Sequence, residues 1–314
     1  MTIPKAESTE SFDFLSGGGE MGRLIREYDW SAHALGRPSD WPQSLKTAVS
    51  LILNSQHPMW IGWGKEISFL YNDAYLHVLG LAKHPRALGQ PAAEVWSEIW
   101  DVCGPLADKV FREGEASFVD DVQLFMDRGD HLEETYYSFS YSPIRDESGG
   151  VGGLFCPSTD TTAKILSARR LRTLSELASG IHVGAKTETA CATIAAELSK
   201  NPDDVPFALL YIMSADGTQA ILTEAVRLEA EDATLAPRVV DLKSDNNRSC
   251  VWPLSAVLAA RTSRRVSVEG IEALPRGPAN QRICEAIILP VASRGDDKHL
   301  GVLIAGMNPT RRSD

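Results

Sequence analysis

A chain of 314 residues, 43% of them apolar, is long enough for two domains with separate cores and too apolar to be disordered. Its formal net charge of −11 excludes a non-specific nucleic-acid binder, which needs a surplus of Lys and Arg on one face. No stretch approaches the roughly 20 apolar residues of a membrane helix, and the polar N-terminus lacks the apolar run of a signal peptide, so a cytoplasmic location without membrane contact is expected.

Residues 1–20 end in Ser16-Gly17-Gly18-Gly19 and read as a flexible leader, followed by an N-terminal extension over 21–44. Gly22–Tyr28 predicts a short helix. Leu45, Ala48, Val49, Ile52 and Leu53 carry helical spacing over Gln43–Asn54. His57–Trp63 and Glu66–Tyr71 predict two strands around the turn Gly64-Lys65. Asn72 is placed to cap a helix over Asp73–Leu79, with Gly80 as its stop. Ala92–Phe111 reads as helical with a break at Gly104-Pro105. Three strands follow, Ala116–Met126, Glu133–Ser142 and Val151–Ser158, separated by Asp- and Gly-rich turns.

Thr161–Ile181 predicts a helix in which Leu171, Leu174, Ala178 and Ile181 form an apolar stripe, a short coiled-coil seam. Thr187–Ser199 predicts a second helix. Phe207–Met213 and Gln219–Val226 predict a hairpin, Trp252–Ala260 a helix, and Ile283–Val291 with His299–Met307 a further strand pair. The segment between Leu228 and Arg248 reads as loop.

The order of elements over residues 45–162 resembles the PAS fold, a five-stranded antiparallel sheet with helices on one face. The run Phe69-Leu70-Tyr71-Asn72-Asp73-Ala74-Tyr75 is similar to the PAS strand-to-helix segment. Thr159-Asp160-Thr161-Thr162 is similar to the D-x-T exit of that fold. Three further segments, Glu20–Ile25 with Asp29–Ser31, Trp41–Lys46 and His57–Gly64, resemble the N-terminal PAS–GAF sensory region of bacterial and hybrid sensor histidine kinases. The resemblance implies an α+β protein: a PAS domain over 45–162, a signalling helix and linker over 163–183, and a GAF-like α/β domain over 184–314. Because the chain stops at Asp314, it also implies a GAF-like domain without its closing helix and no phosphoacceptor or ATP-binding domain.

The groups that could carry chemistry have plainer readings. Glu176–His182 superficially resembles a phosphoacceptor segment, but His182 is followed by Val183-Gly184 and reads as a linker histidine. Gly17–Gly19 lacks the G-K-[ST] of a phosphate loop. Asp120-Asp121 and Glu133-Glu134 are strand neighbours expected to point to opposite faces. The five cysteines form no C-x-x-C, and the histidines show no metal-ligand spacing, so no metal, cofactor or covalent chromophore is expected.

The expectation is therefore a sensory input module of a two-component phosphorelay with no catalytic residues of its own. A small ligand would sit against the PAS sheet, among Trp63, Phe69, Tyr71, Phe125, Tyr137, Phe139, Phe155 and the hydroxyl of Ser138. Asp160, Thr162, Leu171, Leu174 and Ala178 would relay the signal through a homodimeric helix to a histidine-kinase output domain or partner kinase. The alternative is an adaptor whose sheet only dimerises and binds no ligand.

Overall fold

The computed structural model describes residues 13–180, 186–228, 234–243, 250–292 and 299–311. His182 and the end of the apolar stripe at Ile181 lie outside the described residues. The chain divides into two compact units, Met1–Ile165 and Leu166–Asp314.

The first unit begins with α1 (Gly19–Glu27) and α2 (Gln43–Leu53), then the hairpin β1 (Met59–Trp63) and β2 (Ser68–Tyr71). The helices α3 (Leu76–Leu79), α4 (Ala92–Val95) and α5 (Trp100–Glu113) come next. The strands β3 (Ser117–Asp127), β4 (Leu132–Arg145) and β5 (Val151–Asp160) complete an antiparallel sheet of order β2-β1-β5-β4-β3. Alternation along the strands sends Trp60, Tyr71, Tyr137, Phe139, Tyr141 and Cys156 to the face covered by α3–α5. Ile61 and Leu70 pair across β1 and β2, point the other way, and are fully buried. Helix α2, which packs on β1, β2 and β4, covers that second face through Leu45, Val49 and Ile52. Each such side chain removed from water contributes about 1.5–3 kcal/mol.

Both N-terminal helices are capped by carboxylates distant in sequence. Asp73 accepts from the amides of Glu20 at 2.9 Å and Met21 at 2.7 Å, at the start of α1. Glu147, in the β4–β5 turn, accepts from the Ser44 amide at 2.8 Å in the first turn of α2. Neither helix has a local side-chain cap, so these acids satisfy amides that helix starts leave open and complement the helix dipole.

Two sequence expectations change here. The expected break at Gly104-Pro105 is absent: α5 runs unbroken from Trp100 to Glu113, and the interruption falls at Trp96–Ile99. Pro105 is tolerated near the helix start: the residue whose carbonyl it leaves without an intrahelical donor, Asp101, lies in the first turn, and both residues are exposed. The expected helix over Asp73–Leu79 begins as a 3-10 turn, Asp73–Tyr75, before α3.

Helix α6 (Thr162–Gly180) is continuous across the boundary between the units. The second unit adds α7 (Thr187–Ser199), β6 (Ala208–Met213), β7 (Gln219–Val226), β8 (Val239–Asp241), α8 (Leu254–Ala260), β9 (Arg264–Ser267), β10 (Glu285–Ala292) and β11 (His299–Gly306). Its six strands have the order β8-β7-β6-β11-β10-β9. One face packs a core around Phe207, Tyr211, Trp252 and Ile288. The other holds a smaller cluster in which α7 and Leu177 of α6 cover Leu210 and Val226. β8 lies within the segment expected to be loop, and β9 was not anticipated. Strands of three and four residues at sheet edges carry too little alternation to be read.

Candidate functional site

The interior of the first unit is filled. Between the sheet and α3–α5 the remaining cavity is about 20 Å³, room for a single water. Tyr137 and Phe139 line it, joined by Trp60, Tyr75, Cys103 and Ser158. Phe69 and Tyr71 are buried in the same core but do not line the cavity. Phe69 stacks near Trp60 and Tyr71, and the Tyr71 hydroxyl lies 3.0 Å from His84 Nδ1.

Phe125, Ser138 and Phe155, expected against the same ligand, alternate with Leu124, Met126, Tyr137, Phe139 and Cys156 and face away from the cavity. Trp63 instead lines an open cleft of about 510 Å³ with Pro42, Phe111 and the Asp146–Ser148 turn. Burial raises the phenols of Tyr75, Tyr137 and Tyr141 and the Cys156 thiol, and it pushes Cys103 up to about 11. These phenols and thiols are therefore held neutral, and the two thiols are poor nucleophiles.

The exit from β5 into α6 is a polar clasp. Asp160 accepts from the Thr162 amide at 2.8 Å. The Thr162 hydroxyl oxygen accepts from the Tyr136 amide at 2.9 Å, and the Thr161 amide donates to the Tyr136 carbonyl at 2.9 Å. β4 thus holds the first residues of α6 by its backbone.

β3 joins this clasp through a bulge between Val119 and Val122, where Asp121 adopts a left-handed φ of 48°. The bulge breaks the expected alternation of Asp120 and Asp121, and both meet Ser138. The Ser138 hydroxyl donates to Asp120 at 2.6 Å and accepts from the Asp121 amide at 3.0 Å. Lys164 on α6 pairs with the Asp121 carboxylate at 3.1 Å. The Thr161 hydroxyl and the Lys164 ammonium hold the Asp121 carboxyl below the ordinary range. Asp121, Tyr136 and Lys164 were not anticipated, because a bulge has no signature in an alternating strand.

Thr162→Val preserves side-chain shape and removes the acceptor for the Tyr136 amide. It is expected to cost about 1–2 kcal/mol. Amide exchange at Tyr136 should accelerate while exchange in β1 and β2 stays as it was; equal exchange at Tyr136 would refute the clasp.

Further along α6, Leu171 and Leu174 are 67% and 62% exposed, and Ala178 is exposed with them. The opposite side of the helix is anchored within the second unit. Arg169 makes a paired contact with Asp204, Nε–Oδ2 at 3.0 Å and Nη2–Oδ1 at 2.9 Å, and Arg311 reaches the same carboxylate at 3.0 Å. Asn201 donates to both Thr173 and Asp204.

Among the described residues no group of three or more His, Cys, Asp or Glu side chains is placed to hold a metal ion. No described helix is long and apolar enough to cross a membrane.

Residues 69–165, from β2 into the start of α6, match the family described as PAS fold. No curated protein matches the chain. Among solved structures, fRMsr of Staphylococcus aureus in its reduced form is similar at 17% identity over 46% of this chain and 82% of that one, with a TM-score of 0.32. The GAF domain of Acinetobacter phosphoenolpyruvate-protein phosphotransferase is similar at 13% identity over 46% and 79%, with a TM-score of 0.33. A sensory box sensor histidine kinase from Vibrio cholerae is similar at 16% identity over 33% and 81%, with a TM-score of 0.26. The strand order of the first sheet and the matched family agree on a fold: residues 69–165 carry the PAS fold. The first unit has the PAS fold, and the second is GAF-like.

Proposed function

We propose that the chain is an input module of a signalling protein, relaying a state of its PAS sheet through α6 rather than catalysing a reaction. The clasp of Asp160, Thr162 and Tyr136 carries this reading, because it makes the first turn of α6 depend on the geometry of β4 and β5. The exposed Leu171, Leu174 and Ala178 supply a surface for a second copy. Displacement of β4 would shift the start of α6 and change the packing of such a pair. An input acts only if it prefers one of the two arrangements. An output of the histidine-kinase type, in a cytoplasmic two-component phosphorelay, is part of the proposal. Its support is the resemblance of the N-terminal segments to that family.

A second reading is favoured by the 20 Å³ cavity: a PAS adaptor that binds partners and no small ligand. A ligand in the first core would have to displace aromatic side chains, so a partner on the sheet is the readier input.

Sedimentation at high micromolar concentration tests the relay. The wild-type chain should self-associate and Leu174→Asp should be monomeric. A monomeric wild-type chain would remove the paired-helix relay and the sheet-dimerising adaptor alike, and leave an adaptor for other partners.

A further inference from the structure

The turns β1–β2 and β4–β5 lie side by side at one end of the first sheet and frame the cleft that Trp63 lines. The Gly64 amide donates to the Gly152 carbonyl at 2.9 Å and ties the first turn to β5. The six-membered ring of Trp63 rests on Gly152 and Gly153. A Cβ at Gly152 would stand 2.9 Å from Cζ2, and one at Gly153 2.5 Å from Cε3, so only glycine lets the indole settle there. The cleft volume of about 510 Å³ falls within the roughly 300–1,000 Å³ of small-molecule sites, and Pro42, Phe111 and Val151 give it apolar walls. Trp63 is only 8% exposed. Its indole N–H donates to no group among the described residues, yet it is not sealed in the core, so it opens on the cleft that the ring borders. The charged residues of the lining are Lys65, Asp146 and Glu147. Asp146 Oδ1 accepts from the Ser148 amide at 2.9 Å, the Ser148 hydroxyl at 2.6 Å and the Gly150 amide at 3.1 Å. Glu147 is committed to the Ser44 amide and hydroxyl. Lys65 is exposed and has no partner among the described residues. Both acids are thus engaged, while a lysine and an indole N–H stand as donors without acceptors.

We propose that this cleft binds a small aromatic monocarboxylate. The carboxylate accepts from the Trp63 N–H and the Lys65 ammonium, and the rings lie against Phe111 and Val151. A doubly charged phosphate suits the cleft less well, because Asp146 and Glu147 outnumber Lys65 in the lining. An aromatic amine would leave both donors unanswered. The cleft is outside the filled core, so entry displaces none of the aromatic residues there. The proposal is independent of the relay: it requires the cleft and not self-association through α6.

The test titrates 2-naphthoate into the isotope-labelled full chain, with the indole N–H resonance of Trp63 assigned by its loss in Trp63→Phe. Saturable binding that shifts this resonance is expected. Calorimetry should show affinity falling roughly tenfold in Lys65→Glu, an exposed turn position where the substitution leaves the fold intact. Lys243→Glu, exposed in the second unit, should bind as wild type, and circular dichroism should show both variants folded. The neutral amide of the same ring system should bind more weakly, and naphthylmethylammonium should not bind. The proposal is overturned by absence of saturation below about 2 mM, by saturation that leaves the Trp63 resonance unmoved, or by unchanged affinity in Lys65→Glu. It is also overturned if the ammonium compound binds as tightly as the carboxylate. Leu174→Asp in the relay experiment and Lys65→Glu here separate failure of one idea from failure of the other.

Discussion

Asn72→Asp is expected to destabilise the first unit by about 3–5 kcal/mol at neutral pH. Asn72 is 1% exposed, and its side chain has all its capacity in use. Nδ2 shares its two hydrogens among the carbonyls of Ile52 at 3.0 Å, Ser55 at 3.1 Å and His57 at 2.8 Å. Oδ1 accepts from the amides of Met59 at 3.0 Å and Tyr75 at 3.1 Å. One side chain therefore joins the end of α2, the start of β1 and the turn into α3. Aspartate has the same shape but directs an oxygen, ionised at neutral pH, at three carbonyls. The carboxyl introduced would be protonated more readily in the folded chain than in the unfolded one. Its neutral form is the better tolerated, so the deficit should be smallest below about pH 4, the ordinary aspartate value, grow as pH rises from there, and level off above the raised folded-state value. Urea unfolding of variant and wild type at pH 4 and pH 7 measures this. A deficit under 1 kcal/mol at pH 7, roughly one hydrogen bond, would mean the cluster is not the fastening described.

Asp204→Asn is expected to loosen α6 from the second unit at a cost of about 2–4 kcal/mol, somewhat below the value for a fully buried pair. The Asp204 side chain is 14% exposed, Arg169 19% and Arg311 15%, so two guanidinium groups lose a largely desolvated counter-charge. Asp203, 3.4 Å from Arg169 and 44% exposed, compensates only in part. Burial alone would raise the Asp204 carboxyl, but Arg169, Asn201 and Arg311 outweigh it and hold the carboxyl below its ordinary 3.8. A depressed folded-state value gives stability that is present above 3.8 and is lost as pH falls through the lower folded value. Thermal unfolding curves of wild type and variant should therefore differ at pH 7 and converge in acid. A difference that stays constant with pH would show that charge is not what Asp204 contributes.

The strands of the first unit were legible because turn residues punctuate them and their apolar residues alternate. Asn72 was readable as a cap, and it does accept from the Tyr75 amide. Its three donations to residues 52–57 were not, since they join segments whose proximity only the fold creates. The same distinction separates Asp160 and Thr162, placed by a local motif, from Asp121 and Tyr136, which reach that motif from other strands. Arg169, Asp204 and Arg311 are equally silent in sequence: each is an ordinary charged residue until helix, loop and chain end converge. The aromatic residues expected around a ligand were correctly placed on strands. Their faces depended on a register that composition does not fix, which is why Phe125 and Phe155 lie opposite Tyr137 and Phe139.

β3 forms an outer margin of its sheet, eleven residues long, with backbone donors and acceptors along one side. Such a margin invites unrelated chains to add to it and grow into fibrous aggregates. The bulge that re-aims Asp121 bends the strand in its middle, and Asp120 is exposed there. A flat incoming strand would lose register at that point and meet negative charge. The same irregularity that grips α6 thus also helps keep the folded chain from polymerising through its border.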